Sequence, residues 1–183
     1  MSEQATTSKT KWAIDKSHSH IQFKVRHLMI TTVTGSFNDY EATVETQGED
    51  FGKATINFTA KLASLNTGDT QRDVHLQSPD FFDAMNYPTI SFSSTGLKED
   101  THGNYLLNGN LSIRGEVKPI QLNVSFEGIA KDPWGNTKAG FVLEGKISRQ
   151  EWGLIWNAPL ESGGFLVADE VKIACEVQLL KHV

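Results

Sequence analysis

Apolar and polar side chains alternate with a period of two along most of this chain, and no other feature restricts the possible folds as strongly. In a β-strand successive side chains point to opposite faces, so such alternation marks strands with one buried face. Ile21, Phe23, Val25 and His27 alternate with Gln22, Lys24 and Arg26. Ala54, Ile56, Phe58, Ala60 and Leu62 do so with Thr55, Asn57, Thr59 and Lys61. The same rhythm returns at Ile90–Phe92, Leu107–Ile113, Ile120–Phe126, Phe141–Ile147 and Val171–Leu179. A less regular stretch, 32–46, carries Phe37 and Val44 and brings the expected number of strands to about eight.

The links between strands are short and hold turn-forming residues. Arg114-Gly115-Glu116 before Lys118-Pro119 reads as a tight hairpin, and Asp132-Pro133-Trp134-Gly135-Asn136 as a longer one. Consecutive strands joined this way are antiparallel, so a mostly up-and-down meander is expected. The exception is 66–88, where one or two short helices are expected over 71–77 and 81–85. Ser78 would be the N-cap of the second and Pro79 its first helical residue. Leu76, Phe81 and Phe82 would then pack inward over an end or edge of the sheet, and a further helical turn is expected over 148–152. Alternation does not separate a closed barrel from a sandwich. Gly109, Gly145, Ala54 and Ala60 fall on the inward faces, which leans toward a barrel with free internal space.

Candidate chemistry is sparse. With a formal net charge of −5 and no Lys/Arg cluster, the chain is a poor match for nucleic acid, whose phosphates require a concentrated basic surface. Cys175 is the lone cysteine, which excludes an intrachain disulfide, and it falls on an apolar strand face where a thiol is inert. His18 and His20 would share one strand face as half of a metal site, but no spacing supplies the remaining ligands, so no metal or other cofactor is assigned. His27 shares the inward parity of its strand and must find a polar partner there, in the core or on a ligand head group. Arg72-Asp73 reads as an internal salt bridge on a short helix, with His75 beside it. Trp12, Trp134, Trp152 and Trp156 lie near strand ends, either as end plugs or as the wall of a ligand site. There is no phosphate loop, nucleophile elbow or paired carboxylate. Residues 1–11 are polar and are expected to form a flexible tail ahead of a single domain over 12–183. No apolar window is long enough to span a membrane, and without a leader in this chain a cytoplasmic location is expected, periplasmic if a leader has been trimmed.

An ordered series of short motifs extends over nearly the whole chain, from Trp12 to Leu180. Trp12-Ala-Ile-Asp15 and His18-Ser19 are followed by Phe23-Lys-Val-Arg-His-Leu28 and Gly35-Ser-Phe37. Ser64-Leu-Asn-Thr67, Arg72-Asp-Val-His-Leu76 and Ser78-Pro-Asp-Phe-Phe-Asp83 come next. Tyr87-Pro88, Gly109-Asn-Leu-Ser-Ile-Arg-Gly115, Asp132-Pro-Trp-Gly135, Ile147-Ser-Arg149, Trp152-Gly153 and Asp169-Glu-Val171 complete it. In this order and spacing the chain resembles the YceI-like family of lipocalin-like, lipid-binding proteins. The resemblance implies a mainly β fold, a closed antiparallel eight-stranded barrel with one to three short helices. It also implies an elongated apolar tunnel for a polyisoprenoid or an isoprenoid quinone, with homodimers among some members. Strand parity then nominates Phe23, Val25, Ile56, Phe58, Phe92, Leu111, Leu122, Val124, Phe141 and Val171 as tunnel lining, with His27 near it.

The expected function is therefore binding, transport or storage of a long apolar lipid, without catalysis. The alternatives are a barrel filled by its own side chains that serves as an interaction module, a lipid-modifying enzyme working through His27 or His75, and a metal site at His18 and His20.

Overall fold

The computed structural model of the chain describes residues 8–182. Among the described residues there are eleven strands: β1 Lys9–Ile14, β2 His20–His27, β3 Thr31–Phe37, β4 Tyr40–Gln47, β5 Asp50–Lys61, β6 Leu65–Asn66, β7 Thr89–Glu99, β8 Tyr105–Ile113, β9 Glu116–Lys131, β10 Thr137–Ser148 and β11 Val167–Lys181. Six of them are halves of three longer paths. β1 and β2 follow each other along β11, β3 and β4 lie along that first path, and β5 and β6 continue along the second. Counted by path there are eight strands, each antiparallel to the next in sequence, and β11 returns to β1 and β2 to close an eight-stranded barrel. Closure, which periodicity alone could not have decided, is incomplete on one side, where β3 meets β6 only at Ser36 and Phe37 and residues 31–35 have no strand partner beyond them among the described residues.

Strand pairing begins at Lys9, which faces Gln47, so the barrel takes in three residues placed in the tail by the sequence reading. The stretch 1–7 of that expected tail lies outside the described residues. The β8–β9 hairpin is a two-residue turn in which Arg114 and Gly115 both have positive φ, 50° and 75°. This conformation matches the twist of the flanking strands and favours glycine at the second position. In the longer turn, Asp132 accepts hydrogen bonds from the backbone N–H groups of Trp134 and Asn136.

The helical expectations needed revision. Helix α1 spans Thr70–Gln77, and its N-cap is Asp69, whose carboxylate accepts from the Arg72 N–H at 3.0 Å. Ser78 ends this helix and does not start another. A residue before proline is pushed out of the helical region, and Ser78 is extended, with φ −73° and ψ 169°. The 79–85 stretch forms turns instead, with Phe81 and Asp83 N–H groups donating to the Ser78 carbonyl. Arg72 and Asp73 form no salt bridge with each other; both bind Thr67, Asp73 through that residue's N–H and hydroxyl and Arg72 through its hydroxyl and carbonyl. A 3-10 turn at Arg149–Trp152 stands where a last helical turn was expected.

The inward side chains form one contiguous hydrophobic cluster. Trp12 and Trp152 are fully buried near opposite ends of it. The indole N–H of Trp12 donates to Thr46 Oγ1 at 2.9 Å and that of Trp152 to the Leu111 carbonyl at 3.0 Å. Such bonds offset the cost of taking an indole N–H out of water.

Candidate functional site

The barrel encloses a cavity of about 270 Å³ whose walls are almost wholly apolar. Every long strand path contributes to the lining, and at one end Leu76, Phe81 and Phe82 from the 70–88 segment close over it. On β11 the lining runs from Val167 to Leu179. Twelve residue steps at about 3.3 Å, tilted near 40°, correspond to roughly 30 Å along the barrel axis. A small volume spread over that length describes a narrow tube, not a rounded pocket.

Burial locates the free space within the barrel. Inward side chains on β7, β8 and β9, such as Ile90, Phe92, Leu107, Leu111, Leu122 and Val124, are buried. Those on β2, β10 and β11, including Phe23, Val25, Leu143, Ile147, Val171, Ile173 and Val177, are only half-buried although they also line the cavity. Half-buried lining residues are most frequent on the β10–β11–β2 wall, with Ile56 and Phe58 on β5 and Leu97, Tyr105 and Ile120 on β7–β9 in the same state. The free space is therefore widest against that wall and reaches across to the others. Cys175, half-buried, lines the cavity on this wall, and burial pushes its thiol pKa up.

Ten of the eleven nominated residues line this cavity: Phe23, Val25, Ile56, Phe58, Phe92, Leu111, Leu122, Val124, Phe141 and Val171. His27 does not. It sits at the end of β2, opposite Thr31 on one side and Val167 on the other, at the rim. The small residues act differently from the expectation. A Cβ on Gly109 would stand 2.2 Å from Phe92 Cζ, and one on Gly145 2.5 Å from Leu122 Cδ2, so each glycine is already covered by a neighbour. They let large side chains lie flat on the wall; Ala54 and Ala60 are the small residues that line the space.

The four tryptophans are absent from the lining. Trp134 is 83 % exposed on its turn, and Trp156 packs edge-on against His75 at 4.7 Å. His75 also meets Phe81 edge-on, and its Nε2 lies 2.8 Å from Asp80, so the imidazole ties α1 to the segments beside it. His18 has Nδ1 3.0 Å from Asp15 Oδ2 in a 3-10 turn, while His20 begins β2 and is exposed. Among the described residues no three His, Cys, Asp or Glu side chains gather as a metal ion would require.

Many lining residues were within reach of the parity argument that nominated the ten, such as Ile21, Leu143, Ile147, Ile173 and Val177, on the same faces of the same strands. Arg149 and Leu154 were not, because they follow β10 in a non-strand segment where alternation carries no information.

The description of the YceI-like domain matches residues 12–179. The chain belongs to the YceI-like family. A UPF0312 protein of Photorhabdus laumondii is 34 % identical over 148 residues, 81 % of this chain and 77 % of its own length. A UPF0312 protein of Staphylococcus aureus strain RF122 is 31 % identical over 170 residues, 92 % of this chain and 96 % of its own. Among solved structures, the Campylobacter jejuni YceI protein superimposes with a TM-score of 0.75 at 31 % identity, covering 86 % of this chain and 90 % of that one. Burkholderia cenocepacia BcnA shares the fold with a TM-score of 0.76 at 21 % identity, over 90 % of this chain and 98 % of that one. A polyisoprenoid-binding domain from Saccharophagus degradans shares it at 14 % identity and a TM-score of 0.61, covering 92 % of this chain and 97 % of that domain. No helix among the described residues is long and apolar enough to cross a membrane.

Proposed function

We propose that this YceI-like protein binds a long, chain-like apolar lipid, a polyisoprenoid or an isoprenoid quinone, inside the barrel, and that it carries or stores this molecule without altering it. The observation that carries the reading is the cavity itself, narrow, about 30 Å long by strand geometry and lined almost entirely by aliphatic and phenyl side chains. Water gains little in such a tube, whereas each buried CH2 of a ligand contributes about 0.8 kcal/mol, or roughly 4 kcal/mol per five-carbon unit before ordering costs. Contacts of this kind have no direction, so chain length would be tolerated more readily than a bulky ring system. The Saccharophagus degradans domain of the same fold, described as polyisoprenoid-binding, supports the same class of ligand. Met29, Ile30, Ile155 and Phe165, all exposed, stand at the α1 end of the barrel, where an apolar chain could pass. The alternative of a barrel filled by its own side chains is disfavoured by the open space along β10, β11 and β2.

Mass spectrometry of an organic extract of the purified protein tests this. A prenyl-chain lipid at near one-to-one stoichiometry is the expected result. If the extract is empty, the emptied protein is titrated with geranylgeraniol, and absence of binding in both experiments overturns the proposal. Phe58→Trp and Leu122→Trp, which add bulk to the tube, are expected to reduce retained lipid severalfold; unchanged retention would show that the lining is misassigned.

A further inference from the structure

Among the described residues ten large apolar side chains are left exposed, and eight of them stand at the α1 end of the barrel. Ile129 and Trp134, at the β9–β10 hairpin, are the two at the other end. The eight belong to four separate segments: the β2–β3 turn with Met29 and Ile30, the 70–88 segment with Met85 at 94 % exposure, the start of β9, and the 149–166 link with Ile155 and Phe165. The Leu28 N–H donates to the Leu166 carbonyl at 2.8 Å, which sets the first of these segments beside the last. Their exposed residues adjoin the tube lining in the chain: Ile155 follows Leu154, and Phe165 stands two positions before Val167.

The β2–β3 turn carries residues that its conformation disfavours. Leu28 and Met29 have φ 53° and 63°, in the left-handed region where glycine and asparagine are at ease and a bulky side chain is strained. Packing accounts for Leu28, which is half-buried and tied to Leu166. It does not account for Met29, 67 % exposed at the tip, nor for Ile30 beside it at 71 %. The charges around these residues are unfavourable to an anionic partner: residues 26–30, 66–88, 114–118 and 149–169 carry eight carboxylates against five Arg and Lys side chains.

We infer that the α1 end of the barrel docks on a lipid bilayer, with Met29, Ile30, Ile155 and Phe165 inserted at its surface and the end of the tube facing the membrane. Protruding side chains on separate segments around an opening offer a second protein no flat complementary face, whereas a fluid acyl phase accepts them without shape matching. The purpose of such docking rests on the lipid-binding reading, since a polyisoprenoid is insoluble in water and passes between protein and membrane only where the two meet. The attraction is apolar and not electrostatic, because the excess of carboxylates at this end is repelled by an anionic leaflet.

Flotation of the purified protein with phosphatidylcholine vesicles on a density gradient tests this. The parent is expected to float with the vesicles at about 0.5 M salt as at low salt, and phosphatidylglycerol in the vesicles is not expected to strengthen binding. The double variant Met29→Asn, Ile30→Ser is expected to bind about tenfold or more weakly, since two side chains lose their burial. Asparagine suits the left-handed tip and both positions are exposed, so this variant is expected to melt at or near the parent's temperature. Trp134→Ser, at the far end, is expected to bind within about twofold of the parent, although tryptophan favours membrane interfaces. A parent protein that stays in the soluble fraction, an undiminished double variant, a loss in Trp134→Ser instead, or binding that needs phosphatidylglycerol and fades with salt would each overturn the inference. So would self-association of the parent in light scattering, lost in the double variant and without vesicle binding, which would assign the patch to a second copy. Geranylgeraniol titration of the same proteins reads the cargo separately. Vesicle binding without geranylgeraniol binding supports docking and fails the lipid-binding proposal, whereas geranylgeraniol binding without flotation fails docking alone.

Discussion

At Gly109 a methyl group would stand 2.2 Å from Phe92 Cζ and 2.6 Å from the Ser93 carbonyl oxygen. The ring can yield only toward the tube, and the backbone oxygen cannot yield cheaply. Gly109→Ala is therefore expected to cost about 1–3 kcal/mol in urea denaturation and to lower lipid retention, since the displaced Phe92 would occupy ligand space. Wild-type stability in that variant would mean that strand β8 shifts easily and that the wall is softer than its packing suggests. Cys175 offers a second residue-scale measurement, and as the sole cysteine it gives a clean signal. Its thiol pKa is raised by burial, so at pH 7–8 less of it is thiolate than in a free cysteine. A small thiol reagent is expected to modify it about tenfold more slowly than a free thiol, and bound lipid to slow the reaction further. Equal rates with and without lipid would place the ligand elsewhere.

Among the elements, the first of the three divided strand paths breaks at 15–19 between β1 and β2, where its outer partner changes from β4 to β3. Asp15 stands at this break. It accepts from the Ser17 hydroxyl at 2.6 Å, from Lys138 Nζ at 3.0 Å and from Gln178 Nε2 at 3.0 Å, so one carboxylate joins β10 and β11 to the β1–β2 junction. These bonds, the one from Ser17 first, hold its pKa far below the ordinary carboxylate value near 3.8. A carboxylate depressed in the folded state adds stability that is complete above its unfolded pKa and is lost as pH falls through the range below it. Asp15→Asn is expected to lower stability by about 1–2 kcal/mol at pH 7. The gap should narrow progressively below about pH 4, as the parent protein loses the same contribution. Melting curves of both proteins from pH 7 to pH 2 would show this; a gap that stays constant over that range would assign the stability to something other than the charge.

For the whole molecule, ligand binding and folding are coupled through the tube. A lipid that binds only the closed barrel stabilises it by about 2.7 kcal/mol at a free concentration one hundred times its Kd. In a chain of this size that corresponds to a rise of roughly 5–10 °C in melting temperature. Differential scanning calorimetry with and without geranylgeraniol checks this, and an unchanged melting temperature at saturating lipid would argue that the barrel interior is not the binding site. The scale also explains why the cavity can stay open. One wall, β7 to β9, is packed with buried Ile, Leu, Val and Phe, while Trp12, Phe51, Phe126 and Phe141 stack at 4.9–5.9 Å near the end away from α1. Those contacts bear most of the burial, so the β10–β11–β2 wall can leave part of its apolar surface uncovered.

Alternation along the chain was enough to locate most of the strands, though not β1, β6 or the division of 32–46 into β3 and β4, and to give their antiparallel sequence and the inward identity of residues such as Phe58, Leu122 and Val171. A strand's two faces alternate whatever it pairs with, so local sequence carries that information. Turn chemistry was legible for the same reason at Arg114-Gly115, whereas at Ser78-Pro79 the proline ends α1 by holding Ser78 extended, and the turns that Ser78 then starts do not propagate into a helix. Closure of β11 onto β1 and β2, the choice of wall along which space remains, the covering of Gly109 by Phe92 and the arrival of Arg149 at the end of the tube depend on which distant segments meet. Those meetings are settled by packing the whole barrel at once, and no local window of the chain contains them.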